Sequence, residues 1–156
     1  MSELRGRRPS RGMHRVHYKS FEYVAFLNDV KLHWDQESEP LALDEVIIDT
    51  GLSYALLIPL ALISDRTYPR YIKMNRPIEA INGQKLGCDV FLGTVVLAGE
   101  PHEVEVYVAK EAPGIVVGLE ILKKYHLLLA EGDPSIPSGP CLLKPPLTQH
   151  GLTFSK

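Results

Sequence analysis

One stretch of this chain combines residue types that could do chemistry: Glu45-Val46-Ile47-Ile48-Asp49-Thr50-Gly51-Leu52-Ser53. Val46, Ile47 and Ile48 read as a buried strand. Such a strand should not end in an unpaired carboxylate, because a bare charge is costly in a low-dielectric interior. Gly51 allows a sharp turn just beyond the acid. Asp49 is therefore expected at a strand end facing a cleft. There it either accepts backbone N–H bonds as a turn cap or takes part in acid–base chemistry. One carboxylate cannot give and take a proton at the same moment, so paired acid–base chemistry at this stretch needs a second. Asp44, Asp89 and Asp133 are the alternatives, but none has the apolar approach and glycine exit of Asp49.

Other reactive groupings are weaker. Ser53 lacks the flanking glycines of a nucleophile elbow, and Cys88 has no histidine near it in sequence. Gly114 to Gly118 lacks the glycine spacing and the lysine of a phosphate loop. His14 and His17 could share a helix face, but no acid or cysteine stands beside them, so no metal site is expected.

The elements that must hold Asp49 are short strands. Phe21 to Trp34 alternates apolar and polar residues, with Asn28-Asp29 as a turn, and reads as a hairpin. Asp35 to Pro40 is a surface loop. Tyr54 to Ile58 is a strand closed by Pro59, followed by one helical turn over Leu60 to Asp65. Thr67 to Pro77 reads as a basic connection. Ile78 to Ile81 runs into Asn82-Gly83, a strong tight-hairpin signal, and Leu86 to Leu92 returns. Phe91 to Leu97 and His102 to Val108 form another hairpin through Ala98 to Pro101. In its second strand Val104, Val106 and Val108 face one way while Glu103, Glu105 and Tyr107 face the other. Ile115 to Val117 is a buried strand closed by Gly118, which lets the chain turn close to the Asp49 loop. Leu119 to His126 reads as a helix with Leu119, Leu122 and Tyr125 inward, and Leu127 to Leu129 as a last strand. The pattern is all-β and barrel-like with one short helix late in the chain.

The ends differ in character. Residues 1–18 carry Arg5, Arg7, Arg8, Arg11 and Arg15 and read as a flexible basic arm. A solubilising tail is the plainer interpretation, and contact with nucleic acid or an acidic partner the sharper one. Residues 19–132 form the domain. Residues 133–156 contain Pro134, Pro137, Pro140, Pro145 and Pro146 and read as a proline-rich tail without packed regular structure.

Composition excludes several classes. At 156 residues, 45% hydrophobic and 23% charged, the chain has the makings of a globular domain with a real core. A formal net charge of −2 gives no bulk attraction to nucleic acid or membrane. The longest apolar run, Leu52 to Ile63, is interrupted by Ser53 and Pro59 and is short of the roughly 18 residues of a membrane span. The N-terminus is polar and basic, without the apolar segment of a secretory signal, so a cytoplasmic protein is expected. The two cysteines, Cys88 and Cys141, have no metal-ligand spacing and read as idle thiols.

Val46-Ile47-Ile48-Asp49-Thr50-Gly51 resembles the catalytic signature of the aspartic proteases. Ile115-Val116-Val117-Gly118-Leu119-Glu120-Ile121-Leu122 resembles the second landmark of the retropepsin-like branch, and the Asn82-Gly83 hairpin lies between them, where that branch carries its flap. The likeness covers roughly residues 21–132 and is closest to single-domain members. It implies a retropepsin-like barrel and an aspartic endopeptidase that needs no cofactor, with water as nucleophile. With one Asp-Thr-Gly per chain, it implies a homodimer that joins two copies of Asp49. Thr50 and Gly51 inherit the roles of bonding across the axis and keeping the backbone close. Leu52, Ser53, Ile81, Asn82 and Gly83 inherit substrate contacts, and Leu52, Tyr54 and Leu56 suggest an apolar preference. A peptide or protein is the expected substrate, with neither a membrane nor a nucleic acid as partner. Leu52 stands where the family most often has Ala, and Ala55 where a hydroxyl residue is common. Those two departures keep a second reading open, a non-catalytic dimeric module that binds peptides in the same cleft.

Overall fold

The computed structural model describes residues 12–19, 24–34, 39–66, 69–79, 83–128 and 140–144. Its first strands are β1 (Met13–Arg15), β2 (His17–Lys19), β3 (Val24–Leu27), β4 (Val30–His33), β5 (Leu41–Leu43), β6 (Val46–Ile48) and β7 (Leu56–Pro59). There follow β8 (Tyr71–Glu79), β9 (Lys85–Leu97), β10 (Glu100–Ala109), β11 (Val116–Val117), the helix α1 (Leu119–Leu122), β12 (His126–Leu128) and β13 (Cys141–Leu143). Pro59 opens a single 3-10 turn over Leu60–Leu62.

The strand that leads to Asp49 is one arm of a long bent ribbon. Leu27 pairs with Val46 and, past a corner, Val30 pairs with Leu43 in the same antiparallel register. Asn28-Asp29 is therefore not the hairpin turn the sequence suggested: β3 pairs with β2 and β6, and β4 with β5 and β9. It is a corner, met by a second corner at Asp44-Glu45. Asp29 and Glu45 both have positive φ, at 59° and 53°. Each corner satisfies the other: the Asp29 N–H donates to Asp44 Oδ1 at 2.8 Å, and the Glu45 N–H donates to Asn28 Oδ1 at 2.9 Å. The large sheet runs β2-β3-β6-β11-β7-β10-β9-β4-β5. Because the bent ribbon contributes to both ends of that order, it curls the sheet into a barrel around the main core. Leu27, Leu32, Val46, Leu56, Ile58, Val95 and Val106 in that core are completely buried.

β9 is continuous and serves two hairpins. With β10 it turns through Ala98-Gly99, both at positive φ (55° and 75°), the backbone that a two-residue hairpin turn requires. With β8 it forms the antiparallel ribbon expected from the resemblance to act as a flap, the flap ribbon. The segment expected as a basic connection up to Pro77 is in fact most of β8. Pro77 is tolerated because, among the described residues, β8 pairs with β9 alone, so its missing N–H is not needed. The ladder shifts register between Tyr71 and Arg76. Within that stretch Asn75 adopts a φ of 52°, with its N–H donating to Asp89 Oδ1 at 3.1 Å.

The structure departs from the sequence reading at both ends. Met13–Arg15, inside the expected arm, pairs with Cys141–Leu143, inside the expected tail, and that strand also pairs with His126–Leu128. Cys141 and Leu142 are fully buried. Prolines flank this strand without breaking it: Pro140 contributes only its carbonyl, which accepts from the Val16 N–H at 2.9 Å. Gly12 joins the small sheet to the barrel, donating to the Ala98 carbonyl and accepting from the Lys144 N–H, both at 2.7 Å.

The helix is also shorter than expected. It spans Leu119–Leu122 only, before the chain turns into β12. Ile121, Leu122 and Tyr125 point inward, whereas Leu119 is 42% exposed. Among the described residues no helix is long and apolar enough to cross a membrane.

Candidate active site

Asp49 ends β6, and the residues after it must bridge a third strand. β11 lies between β6 and β7, parallel to the first (Val116 opposite Ile47) and antiparallel to the second (Val116 opposite Leu57). The chain from Asp49 to Ala55 therefore arches over the end of β11, at Gly118. Backbone bonds pin the arch. The Asp49 N–H donates to the Val117 carbonyl at 3.0 Å, the Gly118 N–H to the Ala55 carbonyl at 2.9 Å, and the Leu119 N–H to the Leu52 carbonyl at 2.7 Å. A Cβ on Gly118 would lie 2.1 Å from the Tyr54 carbonyl oxygen and 2.6 Å from that of Leu52. Only a glycine lets the two segments approach this closely.

Asp49 is half-buried, and Thr50 and Gly51 beside it are exposed. Asp49 Oδ1 accepts from the Gly51 N–H at 2.9 Å. That single bond orients the carboxylate and leaves its second oxygen free of any described partner. A Cβ at Gly51 would sit 3.2 Å from the same oxygen, a crowded but less severe contact.

The flap ribbon packs against this arch, where its Ile78 and Leu86 share an apolar cluster with Leu52. Ile78 pairs with Leu86 and Glu79 with Lys85. That register leaves five residues, 80–84, between the last paired positions. A two-residue turn at Asn82-Gly83 would pair Ile81 with Gln84, one step out of this register. Gly83 has a φ of 76° and open space around it. Ile81 and Asn82 lie outside the described residues.

The expected substrate contacts separate. Ser53 is exposed on the rim of a recess of about 500 Å³, lined also by Tyr54, Lys73, Arg76, Glu105 and Tyr107. Leu52, expected in the cleft, is buried instead, with 4% of its surface exposed. Leu56 and Ala55 point into the main core. These apolar side chains are drawn off by the two clusters on either side of the arch.

Several residues of the recess had no sequence motif to announce them. Lys73 on the flap ribbon donates to Glu105 Oε2 at 3.0 Å, and the Tyr107 hydroxyl donates to Glu105 Oε1 at 3.3 Å. Both groups of that ion pair are partly exposed, so it contributes little on its own. Burial, with the nearby Glu105 carboxylate, pushes the Tyr107 hydroxyl up to about 12, so it stays a donor. The rings of Tyr54 and Tyr107 meet at 4.5 Å. The signal available was the alternation of Glu103, Glu105 and Tyr107 along one face of β10.

The fold has known counterparts. A retropepsin-like aspartic protease from Rickettsia conorii aligns with 84% of this chain and 89% of its own, at a TM-score of 0.56 and 12% identity. The fold is retropepsin-like. The EIAV protease in complex with an inhibitor also aligns, over 70% of this chain and 86% of its own, at a TM-score of 0.47 and 18% identity. No family model and no curated protein matches the sequence. In this retropepsin-like fold the threaded β11, the arch over Gly118 and the flap ribbon form one connected unit, with Asp49 at the end of β6.

Proposed function

We propose that the chain is an aspartic endopeptidase that works as a homodimer. The observation that carries this reading is Asp49 itself: a half-buried carboxylate at the end of β6, oriented by the Gly51 N–H, on the arch of a retropepsin-like fold. Two such carboxylates brought together by a two-fold axis cannot both ionise, and they share one proton. The ionised one takes a proton from water as the water oxygen bonds to the peptide carbonyl carbon, and the protonated one gives its proton to the carbonyl oxygen. The resulting gem-diol then collapses. The carbon–nitrogen bond breaks as the protonated carboxyl gives its proton to the nitrogen and the ionised one takes a proton from a gem-diol hydroxyl, so a carboxylic acid and an amine leave and the dyad again holds one proton. Thr50 and Gly51 are exposed in the single chain, as a contact with a second copy requires. The flap ribbon would close over the bound peptide and exclude water.

Asp49→Asn is the test. Asn can still accept from the Gly51 N–H, so the fold and its melting temperature should hold while peptide cleavage disappears. Mixed with wild-type protein, the variant should depress activity as the square of the wild-type fraction, because a dimer with one Asp49 lacks its mate. Cleavage that survives the substitution would rule the reading out. A wild-type dimer that binds peptides without turning them over would favour the binding-module alternative.

A further inference from the structure

The residue directly after the Asp49-Thr50-Gly51 turn is buried although Thr50 and Gly51 before it are exposed. Leu52 belongs to an apolar cluster distinct from the main core, together with Ile78 and Leu86 of the flap ribbon, Leu57 of β7, Tyr107 of β10 and Val116 of β11. Ile78 and Leu86 stand opposite each other across the β8–β9 ladder, so the flap contributes to this cluster from both of its strands.

Leu52 is also held by its own backbone. Its N–H donates to the Asp49 carbonyl at 3.2 Å, and its carbonyl accepts from Leu119. A Cβ on Gly118 would come within 3.1 Å of the Leu52 Cβ. The side chain therefore has no backbone slack with which to swing aside for a ligand. The described open space begins one residue later: the recess of about 500 Å³ is lined from Ser53 onward, and neither Asp49 nor Leu52 lines it.

We propose that Leu52 sets substrate specificity by filling the subsite beside the cleaved bond with the chain's own atoms. The substrate residue seated there has a small side chain, glycine, alanine or serine. Larger side chains are taken farther along the peptide, in the recess over Tyr54 and Tyr107. Leu52 acts as a positioning residue: it shapes the space and does not touch the reacting atoms. This inference rests on the endopeptidase reading.

The test is a cleavage-site profile on a peptide library with wild-type protein, Leu52→Ala and the milder Leu52→Val. Wild type should cut beside small residues. Leu52→Ala should raise kcat/KM for peptides with Leu or Phe at that position by about tenfold or more relative to Ala, with Leu52→Val between, since each methylene in an apolar pocket is worth about that factor. Leu52→Val keeps the comparison open if the alanine variant does not fold. A wild-type preference for large residues at that position, or an unchanged ratio in a folded variant, overturns the inference and leaves the endopeptidase reading standing. No cleavage of any library member by folded wild-type dimer removes the endopeptidase reading and the inference with it.

Discussion

Gly118 and Tyr54 are in main-chain contact: no atom larger than hydrogen fits between the Gly118 Cα and the Tyr54 carbonyl oxygen, since a Cβ would lie 2.1 Å from it. The obstacle is backbone on both sides, so it cannot be relieved by a rotamer change. Gly118→Ala should destabilise the protein by about 3 kcal/mol, the upper end of what overpacking usually costs. Urea denaturation measures this. A loss below about 1 kcal/mol would mean that the arch is looser than described.

The buried strand β13 carries a second prediction. Leu142 is completely buried, between β1 and β12. Leu142→Ala should cost about 3 kcal/mol, seen as a fall in melting temperature of roughly 6–12 °C for a chain of this size. If residues beyond 132 were a mere appendage, the substitution would be silent.

His14 ties the small sheet to the barrel. Its Nε2 lies 2.7 Å from the Asn28 carbonyl, and its Nδ1 accepts from the Ala98 N–H at 3.1 Å. An acceptor at Nδ1 and a donor at Nε2 define the neutral ring. Burial lowers its pKa from the ordinary 6.5, outweighing the opposing pull of the Asn28 bond and the nearby Asp29 charge. His17 adds a smaller lowering. A base whose folded pKa is depressed binds its proton more readily unfolded. Its contribution to stability is therefore complete above about pH 6.5 and is lost as the pH falls toward the lowered value. Denaturation midpoints should fall between neutral and mildly acid pH, and His14→Gln should flatten that dependence. His102, lowered chiefly by burial as well, should retain part of it. A midpoint with the same pH profile in the variant would remove His14 from the account.

The long apolar strands and the landmarks at Asp49 and Gly118 were legible because each depends on residues adjacent in sequence. Val46 to Ile48 forms β6, Val116-Val117 forms β11, and Gly118 packs against the arch as its position suggested. Asn28-Asp29 was misread because a corner and a hairpin turn use the same residue types. What separates them is the pair of bonds to Asp44 and Glu45, many residues away. The strand within the proline-rich tail was missed for a similar reason. Cys141-Leu142-Leu143 has too few residues to show a period, and it is a strand only because β1 and β12 supply partners.

The sequence by itself determined the all-β character of the chain, the end of β6 at an acid, and the glycine over which the next loop passes. These follow from local periodicity, from the cost of burying a charge, and from the backbone freedom of glycine. Only the tertiary structure decided where Leu52 points. One residue past Gly51, a leucine can face a cleft or a core, and nothing in its neighbours distinguishes the two. The apolar cluster that takes it in is assembled from β7, β8, β9, β10 and β11, which meet only when the chain is folded.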